Sequence, residues 1–419
     1  MRILISICFS VLFFPGYGQY DLLKAGPMTG CAVDGKINVW LQTASAKSVM
    51  VCYRKEEDSS FTCISSETRK ENHFVCKIAL SDLRPSSSYV YNLFVNDSLV
   101  NPGYYYRFET YGGNKLKKEL TIALGSCTYV SGDEKNIREE TLIFSSIQKL
   151  KPDVMLWMGD NIYLGESDLI DTVRIYQRYD QYRAFHALKD FQMQMSNLAV
   201  WDDHDYAGNN SDCTFVNKKA SLNAFRNYWP QDDQMRVSLG AVDIFLLDNR
   251  YYRSPAKFKN NLRQIFGRQQ IDILLEELEK SQATFKLIAS GGQILCIGRY
   301  NESYNIYKKE KAYLLKEIAL RKIEGVFFLS GDRHFTELTK LQRKNDYPLY
   351  DLTVSPLTSD PQKRKSPNKL REKGTFVNER NFGLLRFFEK ESEVIMIIEI
   401  YNAAGEMKWS RVMTGEDLK

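Results

Sequence analysis

Six short apolar runs in the later part of the chain each end at once in residues capable of chemistry. Leu120 to Leu124 leads into Gly125-Ser126-Cys127, and Asp153 to Met158 leads into Gly159-Asp160-Asn161-Ile162-Tyr163. Leu198 to Trp201 meets Asp202-Asp203-His204-Asp205-Tyr206, and Ile244 to Leu247 meets Asp248-Asn249-Arg250. Phe285 to Ala289 ends in Ser290-Gly291-Gly292-Gln293, and Val326 to Leu329 ends in Ser330-Gly331-Asp332-Arg333-His334. Between the first two runs, Asn136 to Leu150 has helical spacing, with Ile143, Ile147 and Leu150 on one stripe. Strand, helix, strand predicts parallel pairing, which puts both strand ends on the same sheet edge. That edge is where open α/β sheets bind ligands. Glycine at such a bend lets the backbone turn sharply and approach a ligand closely. One strand ending in a polar residue is an ordinary turn; six together make a candidate site.

Ahead of this, from Gln19 to about Gly113, the period is different. Lys36 to Gln42 alternates with Ile37, Val39 and Leu41 on one face, and Val49 to Tyr53, Tyr89 to Val95 and Tyr104 to Phe108 are further β-rich runs. Regular short strands without helical periodicity predict a β-sandwich of fibronectin III or immunoglobulin type. Leu83 to Tyr91 resembles the leucine–proline–tyrosine turn of fibronectin type III domains. The expected organisation is therefore a sandwich over 19–113, acting as a structural cap, and an α/β catalytic domain over 118–419. His73 is expected on the surface of a strand.

Arg2, the apolar run Ile3 to Phe14 and the small residues before Gln19 read as a signal peptide over residues 1–18, too short to span a membrane. Secretion or periplasmic export follows as an expectation. Eight cysteines fit an oxidising compartment. Cys31, Cys52, Cys63 and Cys76 could form two disulfides in any of three pairings, Cys213 and Cys296 a third, leaving Cys127 over. The net charge of +5, with both signs interspersed, gives no nucleic-acid signature. No membrane span is expected, and a monomer is.

The strand-end residues sort by hardness. A Cys127 thiolate and a Tyr163 phenolate suit a transition metal, whereas Asp203 and Asp332 supply hard oxygens. Asp160 has two oxygens to share between ions. With four histidines in the chain, His186 among them in a helical stretch, an all-histidine zinc site cannot be built. Two adjacent metals favour displacement at phosphorus. His204 can protonate the leaving alkoxide, and Arg250, with Arg253 behind it, can grip phosphate.

Gly-Ser-Cys, Gly-Asp-Asn-Ile-Tyr, Trp-Asp-Asp-His-Asp-Tyr, Asp-Asn-Arg-Tyr-Tyr-Arg and Gly-Asp-Arg-His, in that order, resemble the alkaline phosphatase D (PhoD-like) metallophosphatases. The resemblance covers essentially all of the chain after residue 18. It implies a small β domain ahead of a four-layer αββα phosphoesterase domain, closed by a hairpin at Leu384 to Phe388 and Val394 to Tyr401. It implies Fe3+ on Cys127, Asp160 and Tyr163, with Ca2+ close by or another divalent metal in its place. The chain also resembles the wider calcineurin-like phosphoesterases, whose paired-histidine motif is occupied here by Asp332 and His334. Asp202 and Asp203 both remain candidates for one ligand position, and Gln293 for a ligand or a supporting role.

The expected activity is hydrolysis of small phosphate esters through a metal-bound hydroxide. A phosphodiesterase or phospholipase-type activity is one alternative, and a non-catalytic metal-bearing binding protein is another. Gly208 to Asp212 is expected to shape the pocket mouth, with Asn209-Asn210-Ser211 formally a glycosylation sequon. The basic stretch Ser359 to Gly374 reads either as a solvated loop or as a cationic lid.

Overall fold

The computed structural model describes residues 22–419 except 117, 132–133, 259–262, 299, 301 and 364–366. The expected export segment lies outside them. Two sheets lie at the centre. The larger has nine strands, in the order Met407–Thr414, Glu393–Asn402, Asn381–Lys390, Leu120–Gly125, Val154–Met158, Ser196–Val200, Ala25–Thr29, Ile37–Gln42 and Val75–Leu80. The second runs Arg236–Ser238, Val242–Leu246, Phe285–Ser290, Val326–Ser330, Leu349–Thr353 and Glu337–Leu341.

Alternation along each strand separates the layers. Ile122, Leu124, Leu156 and Leu198 of the larger sheet join Ile244, Leu287 and Phe327 of the second in one buried core. Their neighbours Ala123, Met155, Trp157 and Ala199 face the other way, onto helices Glu134–Lys149 and Thr172–Ala184 through Ile143, Ile147 and Tyr179. Helices Arg268–Lys280 and Lys308–Leu320 cover the second sheet with Leu274, Leu275 and Leu314. Helix, sheet, sheet, helix is the expected four-layer arrangement. Truncating one of the fully buried leucines in this stack would cost about 2–5 kcal/mol. The expected crossover is present, with Val154 opposite Ile122 in a parallel pair and helix Glu134–Lys149 between the strands. The closing hairpin is there too, with Leu385 opposite Ile398.

The early region is all β, and its second sheet, built on Lys47–Lys55 and Ser88–Val95, packs Val49, Val51 and Leu93 against Val39, Leu41 and Ile78. The latter three belong to the nine-stranded sheet, which Ala25–Thr29 joins through a parallel pair with Ser196–Val200. One sheet therefore runs from the sandwich into the catalytic layers. The hydroxyl of Tyr89 accepts a 2.8 Å bond from Arg84 N, fixing the turn that the sequence marked.

Only part of the cysteine pairing is as expected. Cys52 and Cys63 face each other across an antiparallel pair and form a disulfide. Cys31 and Cys76 do not pair; Cys31 packs between the two large sheets, whereas Cys76 lies in the sandwich and donates to Ser66 Oγ at 3.2 Å. Cys213 and Cys296 are free as well. His73 is not in a strand. It ends a short 3-10 helix at φ 54° and stacks on Tyr176 with ring centres 4.1 Å apart.

Candidate metal centre

The parallel strands of each sheet place their C-terminal ends on one edge, and the predicted residues converge there. Cys127, Asp160, Asp332 and His334 all have left-handed φ, at 58°, 50°, 67° and 53°. Such backbone is costly for residues with a Cβ and persists where surrounding structure holds it. Surrounding bonds do hold it: Cys127 N donates to Gly159 O at 3.1 Å, Thr128 N to Asp160 O at 2.8 Å and His334 N to Ser355 Oγ at 2.9 Å.

Two groups of donor atoms result. One oxygen of Asp160, the Cys127 sulfur and a His334 ring nitrogen lie within 4.8 Å of one another; Asp160, Asp203 and His204 form a second such group. Asp160 belongs to both. The Tyr163 hydroxyl is 3.5 Å from His334 Nε2 and accepts from Ser359 Oγ at 2.9 Å, which puts it at the first group. Asp332 is in neither group but lines the same pocket, a cavity of about 590 Å³ that also takes in Asp160, Asp203, His204 and His334.

Burial, then the neighbouring Cys127 and Asp203, pushes Asp160 far above the usual carboxylate range; burial does the same to Asp203. Burial lifts Asp332 to about 7 and pulls His204 down to about 4. Burial also acts downward on His334, but the Cys127 sulfur and the Asp360 carbonyl outweigh it and raise the ring to about 9. Asp203 Oδ1 and His204 Nδ1 are buried without a hydrogen-bond partner. Carboxylates and imidazoles held this way call for a cation, which removes both the repulsion and the missing partners.

The acidic turn divides its labour. Asp205 Oδ2 accepts from Asp202 N at 2.9 Å, capping the short helix Asp203–Tyr206, and its other oxygen accepts from Asn161 N at 3.0 Å. It thereby ties two strand ends together. Asp202 Oδ1 accepts from Asn249 Nδ2 at 2.7 Å and from Arg250 Nε at 2.5 Å. Asp202 thus faces Arg250, and it is Asp203 that joins the donor group. Gly159 and Gly291 make room for this pair, since a Cβ on either would sit 2.6 or 2.5 Å from the Asp202 side chain.

Arg250 is not where a phosphate clamp must be. It is 1% exposed, and besides Asp202 it donates to Glu302 Oε1 at 2.7 Å and to Ser211 O at 3.2 Å. Arg253 shares Glu302, at 3.2 Å. Both lie behind the pocket wall. Gln293 donates to Glu337 and Thr353 and accepts from the Tyr300 hydroxyl at 2.8 Å, which makes it a support. Asn209 and Asn210 do line the pocket, and Asn210 N donates to Asp203 Oδ2 at 2.6 Å. His186 is remote from the centre, on the surface, 3.2 Å from Asp190. Sequence reasoning gave no role to Tyr300, Glu302 or Arg333, all in the pocket lining. For Arg333, its place inside the Gly-Asp-Arg-His motif was the available signal.

Layers, strand order and a donor-rich pocket at the strand ends are those of a metallophosphatase, and solved structures agree. The structure of PhoD is 16% identical and superposes with a TM-score of 0.78 over 96% of this chain and 90% of that one. Purple acid phosphatase PPD1 from yellow lupin (Lupinus luteus) seeds is 10% identical, with a TM-score of 0.61 over 93% of this chain and 74% of its own. At these identities they establish the fold. A sequence model of the PhoD-like phosphatases matches residues 127–409, so the chain belongs to the PhoD-like phosphatase family. It is a metal-dependent hydrolase of phosphoric ester bonds. No curated protein matches it by sequence.

Proposed function

We propose that the protein is an exported phosphoesterase that acts as a monomer on small phosphate esters, with metal ions that Cys127, Asp160, Tyr163, Asp203, Asp332 and His334 would hold. The observation that carries this is the pair of donor groups with one carboxylate in common. Thiolate, phenolate, carboxylate and imidazole suit ferric iron at Cys127, Asp160, Tyr163 and His334. The oxygen-rich side, with Asp203 and Asp332, suits calcium or another hard divalent ion. When bound, such ions would supply Lewis acidity, activating a water as the nucleophile at neutral pH and offsetting charge on the phosphoryl group. Arg250 holds Asp202 and so positions the turn that presents Asp203 and His204. Export rests on the first 18 residues and is supported by the Cys52–Cys63 disulfide, which persists in oxidising compartments.

His204 would serve as the general acid that protonates the leaving alkoxide, with the negative charge of the bound phosphoryl group restoring the proton that burial opposes. A second reading, that it is a ligand, is favoured by its place in the Asp160–Asp203 group. Kinetics of His204→Ala with chromogenic mono- and diesters, alongside metal content, separates the two. As general acid, its loss lowers kcat by about 10²–10⁴ with metal retained. Loss of metal makes it a ligand, and unchanged hydrolysis removes it from the chemistry. A faster diester than monoester in the parent makes the enzyme a phosphodiesterase.

A further inference from the structure

We infer that Arg333, held by the ring of Tyr300, is the group that grips the non-bridging oxygens of the substrate's phosphoryl group. This rests on the reading of the pocket as a phosphoesterase site. Four carboxylates line that pocket, Asp160, Asp203, Glu302 and Asp332; three of them are proposed to hold metal, and a phosphoryl group seated there still needs an oriented donor for its remaining oxygens. Among the described lining residues Arg333 alone brings an arginine or lysine charge. Arg250 is committed elsewhere, to Asp202, Glu302 and Ser211.

The engagement of Arg333 is slight by comparison. Its one ion pair is a 3.4 Å contact from Nη1 to the adjacent Asp332, and its Nε is buried with no hydrogen-bond partner. The guanidinium carbon lies 3.9 Å from the centre of the Tyr300 ring. Stacking of that kind uses the face of the guanidinium and leaves its in-plane N–H groups for an anion. The platform is itself fixed: the Tyr300 hydroxyl donates to Gln293 Oε1, and Gln293 is anchored on Glu337 and Thr353. A planar fork on a rigid ring beside Asp332 fits two oxygens of one phosphoryl group.

The test uses inorganic phosphate as the probe, with its inhibition of ester hydrolysis, its direct binding by calorimetry and metal content measured for each protein. Arg333→Met is expected to weaken phosphate about tenfold, which is about 1.4 kcal/mol, and to raise KM by a similar factor, with metal content as in the parent. Arg333→Lys, which keeps the charge without the fork, and Tyr300→Leu, which removes the platform, are expected to fall in between. Phosphate affinity unchanged in Arg333→Met would overturn the inference. So would loss of metal in that variant, since Arg333 would then be a support for Asp332. A parent that binds phosphate but hydrolyses no ester would sink the phosphoesterase reading and leave this assignment standing on its own binding data.

Discussion

Asp202 and Asp203 are adjacent and chemically identical, yet the fold gives them opposite duties. Asp202 turns toward Arg250 and Asn249, whereas Asp203 puts an oxygen in the donor group with Asp160 and His204. A buried pair such as Asp202–Arg250 is costly to break, on the order of 3–5 kcal/mol, because the surviving charge has nowhere to go. The space for it comes from glycine. At Gly291 a Cβ would lie 2.5 Å from Asp202 Cγ and 2.7 Å from Trp201 O. We expect Gly291→Ala to destabilise the protein by about 1–3 kcal/mol in denaturant unfolding, the usual range for overpacking. Gly208→Ala, where the nearest atom is 3.7 Å away, should leave the midpoint nearly unchanged. Equal midpoints would mean that the turn is looser than this packing implies. No local pattern separates Asp202 from Asp203. Their roles follow from Arg250, which lies across from them in the loop after strand Val242–Leu246 of the other sheet.

At the scale of elements, strand ends were legible and supports were not. Apolar runs and their period are local, so Cys127, Asp160, Tyr163, Asp203 and His334 could be read from sequence and do converge. Tyr300 and Glu302 sit in a loop without periodicity, and Glu302 finds its partner Arg250 52 positions away. One loop after strand Leu349–Thr353 touches three members of the first donor group. Ser355 Oγ donates to Cys127 Sγ at 3.2 Å, Ser359 Oγ donates to the Tyr163 oxygen at 2.9 Å, and the Asp360 carbonyl lies 2.6 Å from His334 Nδ1. Such outer partners set the donor strength of ligands. The basic stretch that begins at Ser359 is thus tied to the centre at its start, and its Arg371 pairs with buried Glu337. A bond to the phenolate oxygen lowers its electron density. We therefore expect Ser359→Ala to move a tyrosinate-to-iron absorption band to longer wavelength with iron content intact; an unmoved band would show that Ser359 does not reach the bound tyrosinate.

Across the whole molecule, layer order was legible and sheet continuity was not. Parallel pairing follows from the apolar runs and the helix between them, whereas the four layers are what the family resemblance implied. That Ala25–Thr29 would slot in beside Ser196–Val200 follows from neither, because that pairing joins segments far apart in the chain and no period encodes it. The same holds for the cysteines. Cys52 and Cys63 meet because a hairpin register sets them opposite, while Cys31 and Cys76 are separated by the layers they pack into. This architecture brings two groups of donors onto a shared Asp160, which we propose to hold iron on one side and a hard divalent ion on the other. Metal analysis of the purified protein, together with its visible spectrum, tests that claim most directly. The expected result is iron plus a hard divalent ion, with a visible band that disappears in Tyr163→Phe. An active, colourless protein carrying only zinc or magnesium would contradict it.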